Sequence, residues 1–65
     1  MEKRFNVYRV GLNDNGAELV GSNLREAEAG KRVLTVLSMT DTDEAFVGSY
    51  EVGTESDKRF AKLSK

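Results

Sequence analysis

Residues 22–40 constrain the fold most, because no other part of the chain is long enough to form a helix of several turns. At about 100° per residue, the apolar residues of this stretch fall on one half of a helix and most polar residues on the other. We therefore predict a helix over residues 23–39. Its apolar half consists of Ala27, Ala29, Gly30, Val33, Leu34, Val36 and Leu37, and its polar half of Arg25, Glu28, Lys31, Arg32, Thr35 and Ser38.

The start of this helix carries capping signals. Ser22 and Asn23 are N-cap candidates, since their side-chain oxygens can accept a backbone N–H that the first turn leaves unpaired. Glu26 lies three residues after Asn23 and would complete a capping arrangement. Gly30 falls on the apolar half, where we expect it to let the helix approach the sheet closely.

A small barrel is the alternative fold. Residues 33–37 are rich in β-branched side chains and would also suit a strand. A helix ending at Gly30 would leave residues 31–39 to pair with residues 45–52, giving a five-stranded barrel. The helix is favoured because the polar residues follow the helical period, whereas alternation would leave no clear solvent-facing side.

The first third of the chain is predicted to form a hairpin. Residues 4–12 have the β-branched and aromatic composition of a strand. Its apolar parity slips between Val7 and Tyr8, which indicates either a bulge or a central strand covered on both faces. The Asn-Asp-Asn-Gly sequence at residues 13–16 is a strong turn signal, and residues 17–20 form the short return strand.

The second half is predicted to form another hairpin. Residues 45–52 are the third strand, residues 53–57 a loop, and residues 58–63 a fourth strand anchored by Phe60. The predicted fold class is therefore α+β, a single domain of residues 1–65 in the order ββαββ, with one helix packed on an antiparallel sheet. One face of the third strand carries Phe46, Gly48, Tyr50 and Val52, with Gly48 expected beneath the helix.

The composition excludes several kinds of chemistry. Without cysteine or histidine the chain offers no thiolate nucleophile, no disulfide and no zinc site of the usual kind. Ten basic and eleven acidic residues give a net charge of -1, whereas domains that bind phosphate backbones are usually clearly basic. No apolar run has signal-peptide or membrane-spanning length, which predicts a cytoplasmic location.

No motif for catalysis or metal binding is complete. The usual general base is missing, and carboxylates beside turns remain ordinary solvated acids. Asp41, Asp43 and Glu44 match the first half of a calcium loop, but Phe46 stands where that loop requires glycine and Val52 where it requires glutamate. We therefore predict that the protein is not an enzyme and binds neither a metal nor a cofactor.

Charge is unevenly distributed along the sequence, and each block of like charge is a candidate contact surface. The acidic block, the candidate protein-binding site, consists of Asp41, Asp43, Glu44, Glu51, Glu55 and Asp57. The basic set, the candidate nucleic-acid-binding site, consists of Arg4, Arg9, Lys58, Arg59 and Lys62, which would share a strand face if the terminal strands were neighbours.

Surfaces of opposite sign on a small body suit docking on another macromolecule. We expect a non-enzymatic binding protein that regulates or inhibits a protein or nucleoprotein partner, with an exposed sheet edge able to pair with that partner or with a second copy. The alternative function is a small nucleic-acid-binding domain that uses the basic strand face.

In size and predicted architecture the chain resembles the compact single-domain proteins that phages and mobile elements direct against host machinery, anti-CRISPR proteins among them. The resemblance implies an acidic surface that mimics nucleic acid, or a surface that plugs a nuclease complex. Under either implication, the residues to test are those of the acidic block.

Overall fold

The structure is a computed structural model that describes residues 2–13 and 16–64. Three strands form one open antiparallel sheet, in the order β2-β1-β3, and two helices accompany them in this part of the chain. Asp14 and Asn15, at the centre of the predicted turn, lie outside the described residues. The elements are β1 (Phe5–Gly11), β2 (Ala17–Leu24), α1 (Glu26–Ser38), β3 (Ala45–Glu51) and α2 (Glu55–Leu63).

The predicted central helix is confirmed, and the barrel alternative is wrong because residues 31–38 are helical and the sheet is open. The helix starts later than expected, since Ser22 and Asn23 still belong to β2. Its N-cap is Arg25, whose backbone N–H donates to Glu28 Oε1 at 3.3 Å. Glu28 therefore has the capping role that the sequence assigned to Glu26.

The predicted fourth strand is wrong: residues 58–63 lie in α2, so the order is ββαβα. Thr54 is the N-cap of this helix, and its hydroxyl accepts the N–H of Asp57 at 3.4 Å. Glu55 and Asp57 lie in the first turn and Lys62 in the last, which suits the helix dipole. A strong local capping signal therefore overrides the strand-like spacing around Phe60.

The two helices lie on opposite faces of the sheet. The regular β1–β3 register, Phe5 with Glu51 through Gly11 with Ala45, places Val7 and Tyr8 on opposite faces. Tyr8 contacts α2, while Arg9, on the same face as Val7, reaches Thr40 just after α1. The central strand is therefore covered on both sides, and Val7 and Tyr8 are fully buried.

The slip in apolar parity between Val7 and Tyr8 comes from coverage of both faces, and a bulge in β1 is wrong, because the register of β1 with β3 is regular. The β1–β2 register shifts twice, between the pairs Phe5–Leu24, Val7–Gly21 and Tyr8–Leu19, so the irregularity lies in the longer strand β2.

Within the described residues, no helix combines the length and the apolar character needed to cross a bilayer.

Gly30 and Gly48 do not have the packing roles that the sequence predicts. Gly30 is exposed, and a methyl group added there would meet nothing within 4 Å, so it does not serve close packing of α1 on the sheet. Gly48 lies on the α2 face instead of beneath α1, and a methyl group there would stand 2.7 Å from the Tyr50 hydroxyl. Gly48 therefore makes room for the Tyr50 side chain to fold back along its own strand.

Candidate functional site: the open edge of the sheet

In the part of the chain that the structure describes, the outer edge of β3 is a row of backbone groups without a neighbouring strand. Leu12 N–H donates to the Glu44 carbonyl and Val52 N–H to the Arg4 carbonyl, which fixes the alternation of the β1–β3 ladder. Even-numbered residues of β3 therefore bond to β1. The N–H and C=O groups of Val47 and Ser49 point away from the sheet.

The two ends of this edge are satisfied locally. Ala45 N–H donates to the Asp41 carbonyl, and the Glu51 carbonyl accepts both the N–H and the hydroxyl of Thr54. What remains outward is a short, regular segment from the Ala45 carbonyl to the Glu51 N–H. It contains neither proline nor lysine, two residues that commonly protect edge strands.

The other edge of the sheet, along β2, is irregular. Its pairing with β1 shifts register twice, and Asn23 adopts a positive φ of 56° close to its end. Arg32 from α1 donates to the Val20 carbonyl at 2.7 Å, where the register with β1 shifts. Bulges and charged side chains are devices that prevent edge pairing, so of the two edges only β3 offers a regular template.

Exposed apolar side chains lie on both faces of the molecule: Leu34 belongs to α1, and Phe46 and Tyr50 belong to β3. Leu34 is 69% exposed although it belongs to the predicted apolar half. On the other face of the sheet, Phe46 is 39% exposed and Tyr50 is half-buried.

Five acids of the predicted acidic block stand at the two ends of β3 rather than in one patch. Asp41, Asp43 and Glu44 form the turn before the strand, where Asp41 Oδ1 accepts the Asp43 N–H at 2.9 Å. Glu51 ends β3 and Glu55 begins α2. In the described part of the chain the ion pairs are those of Glu2 with Arg4 and Arg25, so none of these five acids is neutralised by one.

Asp57, the sixth predicted contact residue, is buried and anchors α2 to the sheet. Its Oδ1 accepts from Asn6 Nδ2 and the Tyr8 hydroxyl, each at 2.8 Å, and its Oδ2 accepts from Gly53 N–H at 2.9 Å. Burial raises the pKa of this carboxyl, but the bonds from Gly53, Asn6 and Tyr8 and the charge of Lys58 outweigh burial and leave the pKa below its ordinary value. Asp57 is therefore an ionised structural residue.

An aromatic cluster surrounds this anchor. The Phe60 ring lies 4.8 Å from that of Tyr50, 5.8 Å from that of Tyr8 and 6.3 Å from that of Phe46, measured between centroids. Burial raises the pKa of Tyr8, and its hydrogen bond to the Asp57 carboxylate raises it further. The cluster packs α2 against one face of β1 and β3.

The predicted basic set is divided between two faces. Lys58, Arg59 and Lys62 follow helical spacing on α2 and line an open groove of about 430 Å³. Arg9 points to the opposite, α1 face and donates to Thr40 Oγ1 at 3.4 Å. Arg4 is paired with Glu2 at 3.5 Å. The structure therefore brings three of the five bases together, on a helix and not on a strand face.

No protein-family model, no curated protein and no solved structure matches this chain. The sequence singled out the acids but not the edge they flank, because it predicted a second hairpin. The overlooked signal was the segment from Thr54 to Asp57, a Ser/Thr-x-x-Asp/Glu helix start, which removes the fourth strand and leaves β3 at the border of the sheet.

Proposed function

We propose that this protein is a non-enzymatic binding protein that docks on another protein by accepting one of its segments as an added strand beside β3. The observation that supports the proposal is the outward, unpaired row of backbone groups at Val47 and Ser49 on a regular edge. Main-chain hydrogen bonds supply affinity in this mode of recognition, and side chains beside the edge supply specificity.

A polypeptide suits this edge better than a nucleic acid does. An extended peptide offers alternating N–H and C=O groups at the strand spacing, which a phosphate backbone cannot reproduce. The acids at both ends of β3 would also repel phosphates. By holding a partner's segment in an extended form, the protein would regulate or inhibit that partner. An origin in a phage or mobile element stays a prediction.

A displayed library of random nine-residue peptides tests this function. Selected peptides should bind the natural protein and the matched control Ser49→Thr alike, and should bind Ser49→Pro at least about tenfold more weakly. Proline removes one outward N–H of the edge while leaving the ladder to β1 intact. Amide signals of Val47 and Ser49 should shift when peptide is added.

Two results would contradict the proposal. Selected peptides that bind Ser49→Pro and Ser49→Thr equally well would show that the edge is not used. A selection that yields no peptide perturbing the amides of Val47 and Ser49 would do the same. A thermal unfolding curve of Ser49→Pro verifies that the variant remains folded.

A second candidate function, nucleic-acid binding, is favoured by one observation: Lys58, Arg59 and Lys62 share one face of α2. If this face binds single strands, an oligonucleotide should be retarded at low salt, and joint replacement of these three residues by Ala should abolish the shift. The matched control is Arg4→Ala with Arg9→Ala, which lie elsewhere. Retardation that both variants preserve would remove this candidate.

A further inference from the structure

We infer that the segment accepted by β3 carries basic side chains at both of its ends and apolar side chains between them. This inference rests on the function proposed above and adds the chemistry of the partner. The charges along the edge, the apolar groups beside it and the effect of the same charges on a second copy support it.

Spacing sets the length of the segment. β3 contains seven residues, from Ala45 to Glu51, and at about 3.3 Å per residue the strand spans about 20 Å. Asp43 and Glu44 stand at one end of that span, and Glu51 and Glu55 at the other. A strand paired along the full edge would place its first and last residues beside these carboxylates. Basic side chains line the same surface depressions, Arg9 with Glu44, Lys3 and Arg4 with Glu51, and Lys58 with Glu55, but none forms an ion pair with these acids in the described residues. Because carboxylates without an ion pair stand at both ends of the edge, lysine or arginine at both ends fits in either strand direction.

We expect apolar side chains in the middle of the bound segment. Residues of an added strand alternate between the two faces, as the residues of β3 do. On the α2 face they would lie beside Phe46 and Tyr50, both of which are partly accessible. Burying these exposed apolar groups contributes affinity that the main-chain bonds alone do not supply.

The same acids disfavour a second copy of this chain as the occupant. Antiparallel pairing of two β3 strands that aligns all seven residues is centred on Gly48, so Ala45 faces Glu51 of the other copy. Each acidic turn at Asp43 and Glu44 then approaches the Glu51 and Glu55 of the other copy. Like charges brought together at both ends oppose self-pairing and leave the edge available to a basic segment.

Three synthetic nine-residue peptides test the inference. They share a central run of alternating valine and threonine and differ only at their two terminal residues on each side, which are lysine, serine or glutamate. Binding is followed by titration calorimetry and by the amide signals of Val47 and Ser49. The lysine-ended peptide should bind at least about tenfold more tightly than the glutamate-ended one at low ionic strength, with the serine-ended peptide between them.

Charge reversal at the edge provides the matched comparison. A protein carrying Asp43→Lys, Glu44→Lys, Glu51→Lys and Glu55→Lys should reverse the order of the three peptides. Glu18→Lys on β2 is the control, because it adds positive charge away from β3 and should leave the lysine-ended peptide the tightest.

The outcomes separate the two claims. If all three peptides shift the amides of Val47 and Ser49 with equal affinity, the basic-partner inference fails while the edge-docking function stands. If no peptide shifts them, the docking function fails. Concentration-dependent dimerisation that Ser49→Pro abolishes and Ser49→Thr preserves would instead identify a second copy as the occupant and overturn the inference.

Discussion

Asp57 shows how a single residue determines where the last helix lies. Its carboxylate joins α2 to Asn6 and Tyr8 on β1 and to Gly53 in the preceding loop. Asn6 extends the connection to β2, because its Oδ1 accepts the Asn23 N–H at 2.9 Å. Three donors converge on one buried acid, so its ionised form is the one the fold requires.

The first prediction concerns acid stability. Because the pKa of Asp57 is lowered by folding, its contribution to stability is complete above the ordinary aspartate range near about pH 4 and is lost as the pH falls through the folded pKa. Asp57→Asn should lower the free energy of unfolding by about 2–3 kcal/mol at pH 7, since an amide nitrogen replaces one acceptor. In denaturant titrations, the free energy of unfolding of this variant should also decline less steeply below pH 4.

Asp43→Asn serves as the control for this experiment, because Asp43 is exposed and its loss should leave both the stability at pH 7 and the acid sensitivity nearly unchanged. If the two variants lose acid sensitivity equally, Asp57 is not the group that titrates.

The second prediction compares two tyrosine hydroxyls. The Tyr8 hydroxyl donates to Asp57, whereas the Tyr50 hydroxyl forms no hydrogen bond within the described residues. Tyr8→Phe should therefore cost about 1–3 kcal/mol and move the acid transition to higher pH, because the pKa of Asp57 loses one of the bonds that lower it. Tyr50→Phe should change the free energy of unfolding by less than about 0.5 kcal/mol. Equal effects of the two variants in denaturant titrations would contradict the assigned anchor.

At the scale of the elements, α1 was predictable and α2 was not, for a physical reason. Thirteen residues of regular amphipathic period outweigh the β-branched run from Val33 to Val36. The nine residues around Phe60 are too few for their hydrophobic pattern to distinguish a helix from a strand. The N-cap at Thr54 therefore determines that they form a helix. The edge of the sheet could not be located from the sequence, because it depends on that one assignment.

The third prediction concerns two glycines in opposite situations. Gly30 lies inside α1 with nothing within 4 Å of an added methyl group, so Gly30→Ala should raise the free energy of unfolding by about 1 kcal/mol. Gly53 has a φ of 90°, a conformation that alanine adopts only with strain, so Gly53→Ala should lower it by at least about 1 kcal/mol. Thermal or denaturant unfolding measures both. A loss of stability in Gly30→Ala would mean that a hidden close approach exists at this position.

At the scale of the whole molecule, two helices cover the faces of the sheet and leave its two edges uncovered. Helices on both faces let a 65-residue chain bury the central strand, and two edges are the unavoidable result. The β2 edge is irregular at its register shifts, whereas the β3 edge stays regular between two groups of acids that form no ion pair in the described residues. The difference between the edges is the basis for expecting a protein partner.

Amide hydrogen exchange along β3 tests edge docking most directly. In the free protein the outward amides of Val47 and Ser49 should exchange fast, and the inward amides of Gly48 and Tyr50 slowly. Adding the lysine-ended peptide should slow Val47 and Ser49 selectively and leave the amides of α2 unchanged. Protection that rises on α2, or that leaves Val47 and Ser49 as fast as before, would contradict docking at the open edge.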